Sequence, residues 1–222
     1  MGQSMGPRQT SMLNDKQSAT VLHFDNVALV RGGRMLFRGI SFALNAGDAL
    51  ILTGPNGVGK SSLLRLAAGL LKSAAGTVSR NASLALADDM LALDMDKSLS
   101  AALTFWARID GRNDADVTTA LKSLGIAHLA DVPVRMLSTG QKKRAVLART
   151  IASGAMLWLL DEPANGLDKD SLARLETIIA DHRSKGGAIL IASHLPIAAQ
   201  SATMLALEAL PQQQIECEEE AF

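Results

Sequence analysis

The stretch GPNGVGKS, residues 54–61, decides the fold of this chain. It fits the pattern G-x-x-x-x-G-K-[ST] at every position. The run DALILTG, residues 48–54, leads into it and is typical of a buried parallel strand. Four apolar residues after it share one face of a predicted helix: Leu63, Ala67, Leu70 and Leu71. A strand, a glycine-rich turn and a helix in this order indicate a phosphate-binding loop, whereas a plain glycine turn before a helix is the alternative.

Each residue type in this loop has a physical reason to be there. Glycines let the backbone turn tightly, so that several N–H groups point at phosphate oxygens, and the helix start adds positive charge. Lys60 would reach the β- and γ-phosphates, and the Ser61 hydroxyl would bind Mg²⁺, which prefers oxygen ligands. The predicted nucleotide-binding residues of the loop are Gly54, Pro55, Asn56, Gly57, Val58, Gly59, Lys60, Ser61 and Ser62.

Strand and helix patterns alternate along most of the chain, which predicts an α/β fold with a mainly parallel sheet. Two strand patterns before the loop, within residues 21–44, predict a small antiparallel appendage. Helical patterns predict a helical subdomain of about residues 90–150 within a domain of residues 19–210. The polar segments 1–18 and 211–222 read as flexible tails.

Composition excludes several classes of protein. The 222 residues carry 22 Lys and Arg against 22 Asp and Glu, so the chain lacks the basic excess of a nucleic-acid binder. Five Phe, two Trp and no Tyr leave few stacking platforms, and the single Cys217 excludes a disulfide framework. Neither a membrane-spanning run of ~20 apolar residues nor a signal-peptide pattern occurs. We therefore expect a cytoplasmic protein that meets a membrane only through partners.

Two carboxylates follow the apolar run MLWLL, residues 156–160. Ligands of parallel α/β sheets bind beyond the carboxyl ends of the strands, which is where Asp161 and Glu162 lie. Because neighbouring strand residues point to opposite faces, we expect the two to differ in role. Asp161 would hold Mg²⁺ and Glu162 would deprotonate the attacking water. A solvated acidic strand end is the alternative.

A second anion-binding feature lies in LSTGQ, residues 137–141. Ser138 and Gln141 have the spacing of a capping box, so a helix should begin here with free N–H groups. From the residues alone an ordinary capped helix is the preferred explanation of this pattern, and we expect Lys142, Lys143 and Arg144 to be its solvated start. Spacing alone does not say why one nucleotide would need two such cradles.

A family resemblance answers that question. GPNGVGKS, LSTGQ, ANGLD (residues 164–168) and Ser193-His194 resemble, in order and spacing, the motifs of ABC-transporter ATPases: phosphate loop, LSGGQ signature, D-loop and switch histidine. The resemblance covers about residues 21–208. It implies a P-loop NTPase fold of the ABC ATPase type, with a mainly parallel core sheet, an antiparallel β appendage and a helical subdomain.

The resemblance also implies a head-to-tail homodimer that encloses two ATP molecules with Mg²⁺. Each site would combine the phosphate loop of one chain with the signature of the other. His194 would contact the γ-phosphate and position Glu162, with a surface histidine as the alternative. Asp168 would lie at the interface, and it also suits the N-cap of a helix. The residues implied to bind ATP across the interface are Ser138, Thr139, Gly140 and Gln141.

Three departures from the family pattern matter. Thr139 stands where the signature has glycine, which narrows backbone freedom. The usual Q-loop glutamine is absent; Asp88 and Asp89 lie near its place, where Asp89 would reach Mg²⁺ through water or merely cap the next helix. Arg31 occupies the position of the aromatic residue that stacks on adenine, and it would stack on the base, pair with an acidic group or be a turn arginine.

Finer similarities indicate one branch of the family. Four segments resemble the ATP-binding subunits of the haem-exporter system of cytochrome c maturation: RGGRMLFRGISF (31–42), DVPVRMLSTGQKKRAVLAR (131–149), LWLLDEP (157–163) and SHLPI (193–197). That resemblance implies integral membrane permease subunits as partners and a place at the cytoplasmic face of the inner membrane. The alternative is the ATPase subunit of an ABC importer or of a lipoprotein-releasing system, or a nucleotide-gated binding protein without transport.

Overall fold

A computed structural model of the protein describes residues 19–209. The predictions for residues 1–18 and 211–222, including Cys217, lie outside the described residues. The strands are β1 (Thr20–Arg31), β2 (Arg34–Asn45), β3 (Ala49–Thr53), β4 (Ala75–Arg80), β5 (Leu84–Ala87), β6 (Leu157–Asp161), β7 (Ala188–Ala192) and β8 (Thr203–Ala206). The helices are α1 (Lys60–Ala67), α2 (Leu99–Ile109), α3 (Asp114–Ser123), α4 (Thr139–Ala152) and α5 (Lys169–Ser184).

Two sheets organise these strands. The larger sheet has the order β5-β6-β7-β3-β8, and every neighbouring pair in it is parallel. The smaller sheet has the order β2-β1-β4 and is antiparallel. The α/β prediction is confirmed, and the appendage gains β4 as a third strand. Because the larger sheet is parallel, all its strands end at one edge, where α/β proteins bind ligands.

Side-chain alternation along the strands divides the interior into two cores. Leu157 and Leu159 of β6 pack with the antiparallel sheet and α1, whereas Trp158 and Leu160 pack with α2 to α5. Both faces of the parallel sheet are therefore buried, which explains why β6 and β7 read as continuous apolar runs. This burial fixes the strand ends that carry the polar residues.

The chain between β5 and β6 folds back over one side of the sheet. It forms α2 and α3, two short 3₁₀ helices (Ala127–Leu129 and Val134–Met136) and then α4. Helices α2, α3 and α4 contact one another. The domain boundaries drawn from the sequence, 19–210 with a helical part of about 90–150, stay a prediction. Among residues 19–209, no helix has both the length and the apolar character to cross a bilayer.

Helix α1 is shorter than its apolar pattern predicts. It ends at Ala67, and Leu70 is 65% exposed, so the prediction that Leu70 shares the buried face of Leu63 is wrong. The helix ends because Gly69 has φ +80° and its N–H donates to the Leu66 carbonyl at 3.1 Å, as in a Schellman motif. The guanidinium of Arg80 in β4 also caps this end, with its Nε donating to the Ala67 carbonyl at 2.6 Å and its Nη2 donating to the Leu66 carbonyl. A side chain from the other sheet thus satisfies the terminal carbonyls of α1.

Candidate nucleotide site

The loop of residues 54–59 joins the carboxyl end of β3 to the start of α1. Gly54 has φ +133°, and a Cβ there would overlap the carbonyl oxygen of Leu207. Only glycine fits this position without strain. Gly59 caps α1, and among the described residues no side chain caps that helix start. The N–H groups of the first turn are therefore available to an anion, as a phosphate-binding loop requires.

Lys60 lies at the centre of this loop and is only 7% exposed. Its Nζ donates to the carbonyls of Gly54 at 2.7 Å and Pro55 at 3.3 Å. An ammonium has three N–H donors, so these bonds hold the side chain across the loop and leave one donor for a phosphate oxygen. The cation is thereby held in place before a ligand binds.

The loop borders a cleft of about 440 Å³, a size in the usual range for ligand pockets. Its lining includes Asn56, Lys60 and Ser61 from the loop, and Arg31 and Glu162 from other elements. Arg31 ends β1, and its Nη1 lies 3.5 Å from the Ser62 hydroxyl. Arg31 thus lies in the cleft wall beside the helix that follows the phosphate loop, where both stacking and pairing with an anion remain predictions.

Asp161 ends β6 and is 7% exposed. Its Oδ1 is buried and accepts no hydrogen bond within the described part of the chain, and the Ser61 hydroxyl lies beside the carboxylate. Burial raises the pKa of Asp161, and the carboxylates of Asp89 and Glu162 raise it further, against lowering by the Ser61 hydroxyl and by Lys143. An orphaned carboxylate oxygen beside a hydroxyl fits the oxygen-rich coordination of Mg²⁺.

Glu162 follows β6 directly but does not continue it. The strand ends at Asp161, and Glu162 has φ +46°, with its N–H donating to the Ala192 carbonyl at 2.8 Å. The sequence argument from strand alternation is therefore wrong in its geometry. A left-handed turn, rare for a glutamate, separates the two carboxylates, and Glu162 lines the cleft.

His194 contacts Glu162, as the sequence resemblance implies. Its Nδ1 lies 2.8 Å from Glu162 Oε2, and its main-chain N–H donates to the same oxygen at 3.2 Å. A carboxylate only accepts, so Nδ1 carries the hydrogen and Nε2 faces away from Glu162. The two bonds to Oε2 fix the carboxylate and leave Oε1, which accepts no bond among residues 19–209, to act on water.

The signature segment forms the start of α4. Ser138 is the N-cap: its Oγ accepts from the Gln141 N–H at 3.3 Å, and Gln141 Oε1 accepts from the Ser138 N–H at 2.8 Å, so the predicted capping box is confirmed. Thr139 and Gly140 line a separate cleft of about 390 Å³ with residues 165–166 of the D-loop. In the described chain no phosphate-loop residue lines that cleft, and no signature residue lines the first.

Asp168 and Asp89 have partners within the chain. Asp168 accepts from the Ser171 N–H at 2.8 Å and caps α5, so its N-cap prediction is confirmed while its interface role stays a prediction. Asp89 does not cap the next helix, because Ser98 caps α2, and that alternative is wrong. Instead Asp89 Oδ1 lies 3.3 Å from Lys143 Nζ. Its contact with Mg²⁺ through water stays a prediction.

Lys143 makes two contacts that sequence reasoning did not predict. Its side chain is 15% exposed rather than solvated, and its Nζ donates both to Asp89 and, at 3.3 Å, to the main-chain oxygen of Asp161. Asp88, next to Asp89, pairs with Arg65 of α1 at 3.5 Å. Since 54 residues separate Asp89 from Lys143, no local pattern could have revealed this pairing.

Comparison with known proteins agrees with this geometry. The family model described as ABC transporter matches residues 37–165. The cytochrome c biogenesis ATP-binding export protein CcmA of Sphingopyxis alaskensis is 55% identical over 80% of this chain and 92% of its own length. Its namesake from Novosphingobium aromaticivorans is 51% identical over 82% and 93%.

Solved structures share the fold. An ATP-binding subunit of an ABC transporter superposes with TM-score 0.78 at 19% identity, over 88% of this chain and 90% of that one. A bacterial Atm1-family ABC exporter with ATP bound gives TM-score 0.74 at 25% identity, over 85% of this chain and 37% of that one. Family model, close relatives and fold agree, so the chain belongs to the ABC transporter family, as one of its ATP-binding ATPase subunits.

Proposed function

We propose that two copies of this chain enclose two Mg²⁺-ATP molecules and that ATP hydrolysis drives the permease of a haem exporter for cytochrome c maturation. One observation carries the dimer: the phosphate loop and the signature segment line two separate clefts of the same chain. A second copy placed head to tail would bring the start of its α4, with Ser138 and Gly140, to the phosphates held by the first.

The first cleft supplies the ground-state contacts to ATP. Main-chain N–H groups at the start of α1 and the third donor of Lys60 would hold the β- and γ-phosphates. Ser61 and Asp161 would hold Mg²⁺, which would neutralise phosphate charge when bound. No group of three or more His, Cys, Asp and Glu residues within the described residues could hold a metal, so the remaining ligands would be phosphate and water oxygens.

Glu162 would act as the general base. Its Oε2 is fixed by His194, and its Oε1 would accept a proton from the water that attacks the γ-phosphate. His194 Nε2 would donate to a γ-phosphate oxygen only when the ring carries both protons, because Nδ1 already donates to Glu162. We thus assign Glu162 the proton transfer and His194 its orientation.

The partners and place of action follow from the relatives. Proteins named for cytochrome c biogenesis and export match four fifths of this chain, which supports membrane permease subunits of that system as partners and haem as cargo. ATP sites of such a subunit would lie at the cytoplasmic face of the inner membrane. Deleting the chain should abolish c-type cytochromes, and purifying it from membranes should recover integral subunits of that system. Normal c-type cytochromes after deletion would refute this assignment.

Glu162→Gln tests the mechanism. The amide keeps the size of the side chain but is a poor base, so we expect phosphate release to fall by at least about 10²-fold. ATP should remain bound, and the dimer should persist in size-exclusion chromatography with light scattering. Glu208→Gln, which changes an exposed glutamate, is the matched control. Hydrolysis at the wild-type rate in Glu162→Gln would show that Glu162 is not the base, whereas a wild-type protein that binds ATP without hydrolysing it would favour a nucleotide-gated binding protein.

A further inference from the structure

The loop after β5 is tied to two helices of the nucleotide site. Asp88 pairs with Arg65 of α1 at 3.5 Å, and the side chains are 13% and 32% exposed. Asp89 pairs with Lys143 of α4 at 3.3 Å. The first ion pair joins the loop to α1, which begins with Lys60, and the second joins it to α4, which begins with the signature segment. The loop lies where the family has its Q-loop glutamine, a residue this chain lacks.

Lys143 also contacts the end of β6. Its Nζ also donates to the main-chain oxygen of Asp161 at 3.3 Å, so one ammonium joins the Asp89 carboxylate to the last residue of β6. At 15% exposure the Lys143 side chain is largely shielded from water, whereas Asp89 is 89% exposed. A shielded ammonium on a strand end restricts that strand end more than a solvated surface pair would.

The acidic groups around Asp161 indicate what the Lys143 contact does. Glu162 follows Asp161 directly, and Lys143 Nζ lies 3.3 Å from both the Asp89 carboxylate and the Asp161 main-chain oxygen. Without Lys143, the two acidic residues would face Asp161 with no cation of α4 between them. The carboxylate would then lose both its main-chain anchor and its electrostatic compensation.

We propose that Lys143 is a positioning residue of the Mg²⁺ site: held between the Asp89 carboxylate and the Asp161 main-chain oxygen, it fixes Asp161 and links the signature helix to the metal-binding end of β6. The inference rests on the proposed function, because it concerns the same Mg²⁺-ATP site. Lys143 itself touches neither nucleotide nor metal in this proposal. Its effect should therefore reach Mg²⁺ binding without reaching the phosphate loop.

Lys143→Met removes the ammonium and keeps the length of the side chain. Because loss of a group that orients a metal ligand costs about 10–100-fold in metal affinity, we expect the half-saturating Mg²⁺ concentration to rise about tenfold or more. Two readouts measure it: ATP hydrolysis, and the shift of Tm by Mg²⁺ with a non-hydrolysable ATP analogue. Affinity for a fluorescent ATP analogue in EDTA should stay unchanged. Lys143→Arg, which restores a cation, should recover most of the Mg²⁺ response.

A double variant tests whether Asp89 and Lys143 act as one pair or independently. If Asp89 acts only by holding Lys143, then Asp89→Asn with Lys143→Met should be no worse than Lys143→Met alone. Effects that multiply would show that Asp89 acts independently of Lys143, as through water on Mg²⁺, and would overturn its role as the residue that holds Lys143. Lys122→Met, at an exposed position of α3, is the control for loss of a lysine and should leave both readouts unchanged.

The outcomes also distinguish this inference from the proposed function. If the wild-type protein neither hydrolyses ATP nor shifts its Tm with Mg²⁺ and the analogue, the proposed function fails. If wild type does both and Lys143→Met matches it, the positioning role fails and the proposed function stands. A Lys143→Met protein that loses EDTA nucleotide binding in parallel would show a general structural role and would overturn the inference.

Discussion

Replacing Asp161 by Asn should change stability in opposite directions with and without ligand. Asp161 is 7% exposed, and its Oδ1 accepts no hydrogen bond within residues 19–209. The wild-type carboxylate is therefore a buried charge with incomplete compensation, which opposes folding. An asparagine of the same shape carries no charge, so the metal-free variant should be more stable than wild type.

The structure sets the magnitude of this effect. Leaving one buried polar group unsatisfied costs about 1–3 kcal/mol, and the Ser61 hydroxyl and Lys143 compensate part of it. We expect a gain of about 1 kcal/mol in the free energy of unfolding, which corresponds to a rise in Tm of ~2–4 °C for a chain of this size. Urea unfolding in EDTA at pH 7 measures the gain, with exposed Asp131→Asn as the control.

The pH dependence follows from the raised pKa of Asp161, whose first cause is burial. A carboxyl group whose pKa is higher in the folded state favours folding below its unfolded pKa of about 3.9, and this contribution is lost as pH rises through the folded pKa. The advantage of Asp161→Asn should therefore be full at neutral pH. It should disappear as pH falls through the folded pKa toward the unfolded value.

Ligand reverses the order of stability. If Mg²⁺-ATP at about 100 times its Kd stabilises wild type, the gain should be about 2.7 kcal/mol, and Asp161→Asn should lose the part that depends on Mg²⁺. Wild type with Mg²⁺ and a non-hydrolysable analogue should then exceed the variant in Tm. A variant that is less stable than wild type in EDTA at pH 7, or that responds fully to Mg²⁺, would refute the reasoning about Asp161.

Three further predictions concern other residues. His182 stacks on Trp158 with ring centroids 3.7 Å apart, and burial lowers the pKa of His182 below the ordinary 6.5. Wild type should therefore lose stability as pH falls from about 7 through the lowered pKa. Urea unfolding of His182→Phe should not show this loss. Gly54→Ala should lower unfolding free energy by more than about 1–3 kcal/mol through strain and overlap with Leu207, whereas Gly57→Ala, with open space around its Cβ, should be milder. Because Arg31 replaces the aromatic residue that would stack on adenine, nucleotide binding should depend more on the phosphates than on the base. Wild type should therefore hydrolyse GTP about as well as ATP, and a kcat/KM much higher for ATP would contradict this prediction.

The sequence predicted the parts of the fold that local pattern and strand order determine. GPNGVGKS lies between β3 and α1, and the ends of β3, β6 and β7 meet at one edge because every strand pair of the larger sheet is parallel. The capping box at Ser138 follows from four consecutive residues and is present. Each of these features depends on spacing within one element or on a general rule for parallel sheets.

The parts that failed depend on contacts between distant segments. The end of α1 is an exception, because Gly69 with φ +80° ends the helix locally and Arg80 of the antiparallel sheet only adds donors to its last carbonyls. The Glu162 N–H still donates to Ala192 of the neighbouring strand, but its backbone turns to φ +46°, which the apolar strand pattern before it does not reveal. Lys143 looked solvated because a run of three basic residues usually is, and only the packed position of the loop after β5 shows its partners.

Several departures from ordinary local rules meet at the carboxyl edge of the parallel sheet. Asp161 has a buried oxygen without a partner, Glu162 has a left-handed backbone, and Gly54 approaches the Leu207 carbonyl too closely for any side chain. The buried oxygen and the left-handed glutamate cost stability in the free chain, and residues that persist at such a cost are typical of functional sites. In the proposed function, the same departures would leave a carboxylate oxygen free to bind a cation, place the base beside the cleft and let the loop backbone approach phosphate. If Mg²⁺-ATP binds at this edge as proposed, its contacts would recover part of the stability given up there, and the stability of the subunit would depend on its nucleotide.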